Sequence, residues 1–484
     1  MKKILKLSAD GKTIIKVLDK KAEHITIPEG VEVIGESAFA DCKVLQSVDI
    51  PDSVTTIEEE AFWYCEALQS VDIPKSVTTI GGRAFAGCSS LQSVDISNSV
   101  TTIGEWAFGG CKALQSIHIP NSVITIGEGA FKDCHSLQSI DIPNGVTTIG
   151  NIAFCYCSSL QSINIPNSVT TIVSNAFASC EALQSINVAE GNQHYASVDG
   201  VLYSKDLTII KKVPEGAGLK SFSISDNVTT IGEGAFANCS TLQSVDIPNS
   251  VTTIGCKAFG YCKALQSIHI PNSVTTIGEG AFVSCEALQS VDIPDSVTEI
   301  RFAAFYDCSS LQSVDIPKSV TTIGWRAFAW CKSLQSIDIP DSVITIGEEA
   351  FWGCKALQSV NIPKSVTTIG KEAFLYCSSL QCIDIPDSVT TIKKEAFKYC
   401  SSLQCIDIPN SVTTIEKAAF YDCSSLQCIH MHSTNVEGLD IGENAFDNVD
   451  KEKCILYVPA GTKETYSNHP VFGEFKNIEI ERGK

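Results

Sequence analysis

Apolar and polar residues follow one another along this chain in a short pattern that recurs many times. One copy reads Leu68-Gln-Ser-Val71-Asp-Ile73-Pro-Lys-Ser-Val77-Thr-Thr-Ile80-Gly-Gly-Arg-Ala84-Phe85-Ala-Gly-Cys88. Val71 and Ile73 alternate with Ser70 and Asp72, the period of a strand with one buried face. Pro74 has no N–H to offer and ends that strand. Val77 and Ile80 supply a second, shorter extended segment. The three-to-four spacing from Ala84-Phe85 to Cys88 predicts a helical turn that carries the chain to the next strand. Gly81 looks like a turn glycine, yet Glu58, Val173, Arg301, Lys393 and Glu416 take its place in other copies. A β-branched Val strains a left-handed backbone, so this position does not need positive φ.

The dipeptide Ala-Phe sets the period. Phe39, Phe62, Phe85, Phe108, Phe131, Phe154 and Phe177 are spaced by 23, Phe236 to Phe420 keep the same step, and Phe446 follows after 26. One copy cannot bury its Val, Ile, Phe, Cys and Leu alone, whereas stacked copies can. The predicted fold class is therefore an α+β repeat solenoid with a 23-residue period. It has a parallel β-sheet on the concave face and short helical turns opposite. A parallel β-helix, whose period overlaps, is the alternative.

The unit Leu-x-x-Ile-x-Ile-Pro-x-x-Val-x-x-Ile-Gly-x-x-Ala-Phe-x-x-Cys resembles the BspA-like (Treponema pallidum-type) leucine-rich repeat family over residues 24–446. It departs from the usual leucine-rich pattern where Asn or Cys is common, carrying mostly Ser there (Ser53, Ser76, Ser122). The resemblance implies a curved solenoid of a kind found in microbial surface proteins that bind host or matrix proteins or other cells.

Interruptions of the pattern suggest five segments. Residues 1–23 read as an N-terminal capping hairpin, with Asp10-Gly11 between the apolar runs Ile4–Leu7 and Thr13–Val17. A first repeat block covers 24–188. Residues 189–218 form a hairpin insertion, since Val201-Leu-Tyr-Ser and Leu207-Thr-Ile-Ile-Lys211 echo the N-terminal hairpin. A second block covers 219–453, and 454–484 supply a last strand and a C-terminal cap.

Charge and cysteine content narrow the class. A net charge of −20 argues against nucleic acid as a partner. No run approaches the ~20 apolar residues that a membrane span needs. Sixteen of the 22 cysteines, Cys42 to Cys423, stand three residues after the repeat Phe, as small apolar packing residues. Free thiols in such number suit a reducing compartment. The opening residues read as no export signal, which likewise favours the cytoplasm. The family resemblance implies cell-surface display or secretion instead.

The sequence offers no sign of an enzyme or a cofactor. The eight His are scattered, no nucleophile elbow or phosphate loop is present, and near-identical copies cannot supply the one singular constellation that catalysis needs. The predicted function is a non-catalytic recognition or adhesion scaffold for a protein partner of basic character, with a monomer as the expected state. Two surfaces are candidates. One strand position reads Asp, Asn or His in every standard copy and includes Asp292, Asp315 and Asp338. The preceding Gln, present in all sixteen (Gln46 to Gln427), suggests a side-chain amide ladder. The second surface is aromatic: Trp325, Trp330 and Trp352 with Tyr306 and Tyr376, residue types that anchor interfaces. The alternative function is a metal- or redox-responsive module. Cys382, Cys405 and Cys428 replace a strand Ser, and Cys405, Cys428, His430 and His432 beside Asp407 carry zinc-type donors. In-line strand ligands seldom make a tetrahedron, so drift of Ser to Cys is the plainer reading and no metal is expected.

Overall fold

The computed structural model describes residues 4–481. The chain divides into two compact units, Met1–Gly218 with Gly232–Cys239, and Leu219–Ile231 with Ser240–Lys484.

Each unit is a pile of rungs. In the first, strands such as Ser70–Asp72, Ser93–Asp95 and Ser116–His118 lie parallel and in register. A second parallel ladder joins the two-residue strands from Val33–Ile34 through Thr56–Ile57 and Thr79–Ile80 to Thr171–Ile172. In the second unit the three- and four-residue strands run as one sheet from Ser221–Ser223 to Asn477–Ile480. The alternation read in the sequence is the reason: Val71 and Ile73 face the core while Ser70 and Asp72 are exposed. Ile80, Ala84, Phe85, Cys88 and Leu91 complete the lining of the rung.

The predicted helical turn is not a helix. Ala84, Ala86 and Cys88 donate their N–H groups three residues back, to Gly81, Arg83 and Phe85, while Arg83, Phe85 and Gly87 donate forward to Glu105, Ala107 and Gly109 of the next rung. An α-helix needs every N–H to reach four residues back. Left-handed residues at Arg83 (φ 53°) and Gly87 (φ 76°) also interrupt any helical run. The segment is a chain of tight turns, and spacing alone could not tell it from a helix because Phe85 and Cys88 point inward either way. Among the described residues the one α-helix is Lys463–Asn468. The fold is a β-rich solenoid, without the α component expected of it. Gly81 has no positive φ; a Cβ there would stand 2.6 Å from the Glu58 backbone, so close approach is what favours glycine.

Two columns run through the core. In the first unit the rings from Phe39 to Phe177 stack with centroids 4.6–5.8 Å apart. In the second, Phe259 to Phe446 do the same, for example Phe282 on Phe305 at 5.3 Å. Beside them the buried thiols bond to a neighbouring rung, Cys308 Sγ donating to the Phe282 carbonyl at 3.2 Å. The repeat serines also tie one rung to the previous one. Ser76 donates to the Val54 carbonyl at 2.5 Å and Ser319 to that of Val297 at 2.6 Å, each one rung back. Buried Asn192 does so with its amide, donating to Pro166 and Val169.

Around these piles, Leu5–Leu7 pairs antiparallel with Thr13–Val17, which then joins the two-residue ladder. Tyr195–Val198, Val201–Ser204 and Ile209–Lys212 form an antiparallel meander in the same unit. Its turn copies the N-terminal one: Ser8 donates to Asp10 at 2.5 Å, and Ser204 to Asp206 at 2.6 Å. At the end of the meander's third strand, buried Lys212 pairs with buried Glu215 at 2.9 Å. At the far end of the second unit, Phe472 and Phe475 close on Phe446. Buried Tyr466 donates to the Ser433 carbonyl at 2.9 Å.

Candidate partner-binding surface of the second unit

Asp292, Asp315 and Asp338 sit on consecutive parallel strands, in register and exposed. None of the three has an ion-pair partner among the described residues, so their charge faces solvent. The row is not continuous. Asn361 follows Asp338 in register, and His430 follows Asp407. The Gln beside them forms its ladder through the main chain, Gln312 N–H to the Gln289 carbonyl at 2.9 Å and onward. The expected side-chain amide ladder is absent among the described residues; Gln46 reaches Glu23 instead, at 3.3 Å. An exposed amide is already solvated by water and gains little from its neighbour.

The aromatic residues come from the turn segments. Trp325 is 46% exposed and Tyr376 42%, while Tyr306, Trp330 and Trp352 are half-buried. Trp330 meets Trp352 edge-on at 5.3 Å. What binds the group together is an ion pair, Arg326 with Glu349. The Arg326 guanidinium lies over Trp325 at 4.9 Å and over Trp352 at 5.7 Å. It donates to both carboxylate oxygens of Glu349, at 2.7 and 3.2 Å. Glu349 is buried, and a planar guanidinium can hold a bidentate carboxylate and stack on rings together. Phe302 extends the patch, 4.9 Å from Trp325, and Lys332 sits over Trp330 at 5.3 Å. Burial pushes the Asp307 carboxyl above the ordinary carboxylate range, and Lys332 beside it at 3.8 Å partly offsets this. Tyr376 stacks instead on Tyr399, at 4.5 Å.

A positional signal for the pair was present: Arg326 and Glu349 are 23 residues apart, one column of the repeat. The aromatic group and the aspartate row remain separate, with no hydrogen bond, ion pair or ring contact joining them among the described residues.

The cysteine and histidine group differs from its expectation. Cys405 and Cys428 form a disulfide, with Cα atoms 4.8 Å apart, while the other twenty cysteines are in no disulfide. A joined pair offers no thiolate to zinc. Its imidazoles are engaged with carboxylates: His430 Nδ1 lies 3.1 Å from Glu481, and His432 bonds to Asp407 and lies 3.4 Å from Glu481. Cys405, Cys428, His430 and His432 therefore do not make a zinc set in this state. Glu481 follows the final strand, Asn477–Ile480, about fifty residues along the chain from His430 and His432, so local spacing does not reveal it.

Comparison with known proteins places this geometry. The BspA type leucine-rich repeat region matches residues 18–113, 80–197, 208–335 and 321–453. A leucine-rich repeat protein of Eubacterium ventriosum is 30% identical in a solved structure, over 76% of this chain and 91% of that one, with a TM-score of 0.61. A leucine-rich cell surface protein of Faecalibacterium prausnitzii is 32% identical, over 78% and 91%, with a TM-score of 0.52. No curated protein matches the sequence. The likeness decides for leucine-rich repeats over a parallel β-helix. Such arrays are in general protein-binding scaffolds without catalytic activity. The repeat unit, its parallel ladders and its phenylalanine column all agree on one conclusion: the chain belongs to the BspA-type leucine-rich repeat family.

Proposed function

We propose that this chain is a non-catalytic recognition or adhesion scaffold, displayed outside the cell, that holds a protein partner on the aromatic patch of its second unit. The observation that carries the reading is Trp325, exposed yet fixed from beneath by Arg326, itself clamped by Glu349. A large ring held in one orientation binds with little entropy to lose, as interface anchors do. The aspartate row adds attraction for a partner with basic groups, acting on encounter more than on final affinity.

The outside location replaces the cytoplasmic expectation. That expectation rested in part on free thiols, but the repeat thiols are buried and held well above their ordinary 9.0, as at Cys331 and Cys377 by burial. Interior thiols of that kind are inert without a reducing compartment. The Cys405–Cys428 disulfide suits an oxidising setting, and the Faecalibacterium relative is named as a cell surface protein.

Trp325→Ala is expected to weaken partner binding by ~2 kcal/mol or more with melting unchanged. The check is titration of the captured partner against both proteins, with calorimetric melting alongside. Loss of melting temperature with binding intact makes Trp325 a packing residue and removes the reading. Affinity that does not fall as salt rises removes the aspartate row from it.

A further inference from the structure

Three consecutive rungs of the second unit carry Cys where other rungs carry Ser: Cys382 in Cys382–Asp384, Cys405 in Cys405–Ile408 and Cys428 in Cys428–Met431. These strands are parallel neighbours. Cys382 lies opposite Cys405, and Cys405 opposite Cys428. Parallel pairing in register sets equivalent side chains on one face, in a line, about 4.8 Å apart. Cys405 is therefore flanked on both sides by a cysteine one rung away. In the structure it is bonded to Cys428, and Cys382 is free and exposed.

We propose that this row is a thiol–disulfide exchange site, in which the bond moves between Cys405–Cys428 and Cys382–Cys405. Exchange at sulfur requires the entering thiolate, the attacked sulfur and the leaving sulfur to lie in one line, and a row of three rungs supplies that line. The Cys382 thiolate, its proton given to water, attacks Cys405 Sγ from the side opposite Cys428. The Cys382–Cys405 bond forms as the Cys405–Cys428 bond breaks. The electron pair leaves on Cys428 Sγ, which takes a proton from water. One thiol and one disulfide are present before and after, so no oxidant or reductant is consumed. The same face thus presents a free thiol at exposed Cys382 in one state and at half-buried Cys428 in the other. The idea stands apart from the aromatic patch and does not depend on it.

The test uses the full chain, purified without reductant, incubated near pH 8, quenched in acid, alkylated and mapped by mass spectrometry of its peptides. Two linked peptide pairs are expected in the wild type, 405 with 428 and 382 with 405. Cys428→Ser restores the residue of other rungs, so the fold is kept. With no disulfide left to exchange, closing its link is a two-electron oxidation by dissolved oxygen, the oxidant that also closes 405–428 in the wild type. The variant is expected to form the 382–405 link in full and to lose alkylation at both residues. Cys382→Ser is expected to show the 405–428 link alone. The proposal is overturned if Cys428→Ser leaves Cys382 and Cys405 fully alkylated under conditions that close 405–428 in the wild type. A wild type that holds only the 405–428 link, or none, overturns it equally.

Discussion

Each rung bends its backbone into the left-handed region twice, two residues before the repeat Phe and two after it. The residues there include Asp41, Gly87, Gly110, Asp133 and Asn238, which tolerate that conformation, but also Trp106, Tyr156, Trp330 and Ile152. Left-handed backbone costs an ordinary L-residue about 1–2 kcal/mol, and a β-branched one is the least suited to it. Ile152 at φ 47° is the extreme case. Ile152→Asn is expected to raise stability by about 0.5–1 kcal/mol, read from the midpoint of urea unfolding. The Gly, Asp and Asn at these positions are a legible turn signal, but the Tyr, Trp and Glu of other rungs mask it and leave a spacing that a helical turn shares. Glu349 is also left-handed, at φ 54°, and it anchors Arg326. Glu349→Gln keeps the shape and loses the charge. It is expected to cost about 1–2 kcal/mol, a value at the low end for charged hydrogen bonds because Arg326 is partly in water. Denaturant melting of wild type and variant checks this.

At the scale of the element, the rung is held by what passes through it. Phe259 is fully buried and stacks on Phe282 at 5.4 Å. Phe259→Ala is expected to cost ~3–5 kcal/mol, and chemical unfolding measures it; a loss near zero contradicts the ring column. This column was legible because a period of 23 in one large apolar residue has few explanations besides stacking. The strand was legible too, from the alternation of Val71 and Ile73 with polar residues. What the pattern could not carry was the partner of each polar group. Ser76 and Cys308 look like a turn residue and a small apolar one, yet each donates a hydrogen bond to another rung. Of the proposed site, the aromatic members stood out by type. Arg326 and Glu349 did not, since an Arg and a Glu on a charged surface look ordinary until their shared column is noticed.

At the scale of the whole molecule, the buried thiols act as a set. Burial raises the thiols of Cys134, Cys285, Cys331, Cys377 and Cys423 well above 9.0. A raised value means that the folded state keeps protons which the unfolded chain releases. Stability is therefore complete below pH 9 and falls as pH rises beyond it, by up to about 1.4 kcal/mol per pH unit for each such thiol. Melting temperature measured from pH 7 to 10.5 is expected to hold steady and then drop steeply. Replacing Cys331 and Cys377 with Ala is expected to make that drop shallower, whatever it does at neutral pH. A melting temperature that stays flat to pH 10.5 contradicts the burial.

The N–H groups of the turn segments reach carbonyls 22 residues ahead, and the serines reach carbonyls 22 residues behind. Excising one full period of 23 from the interior of either unit thus joins two ends whose donors and acceptors already match. Cutting 22 or 24 leaves every later donor facing the wrong acceptor. The gene is free to lengthen or shorten the array in whole copies, and the reach of its binding surface changes in those same quantised steps.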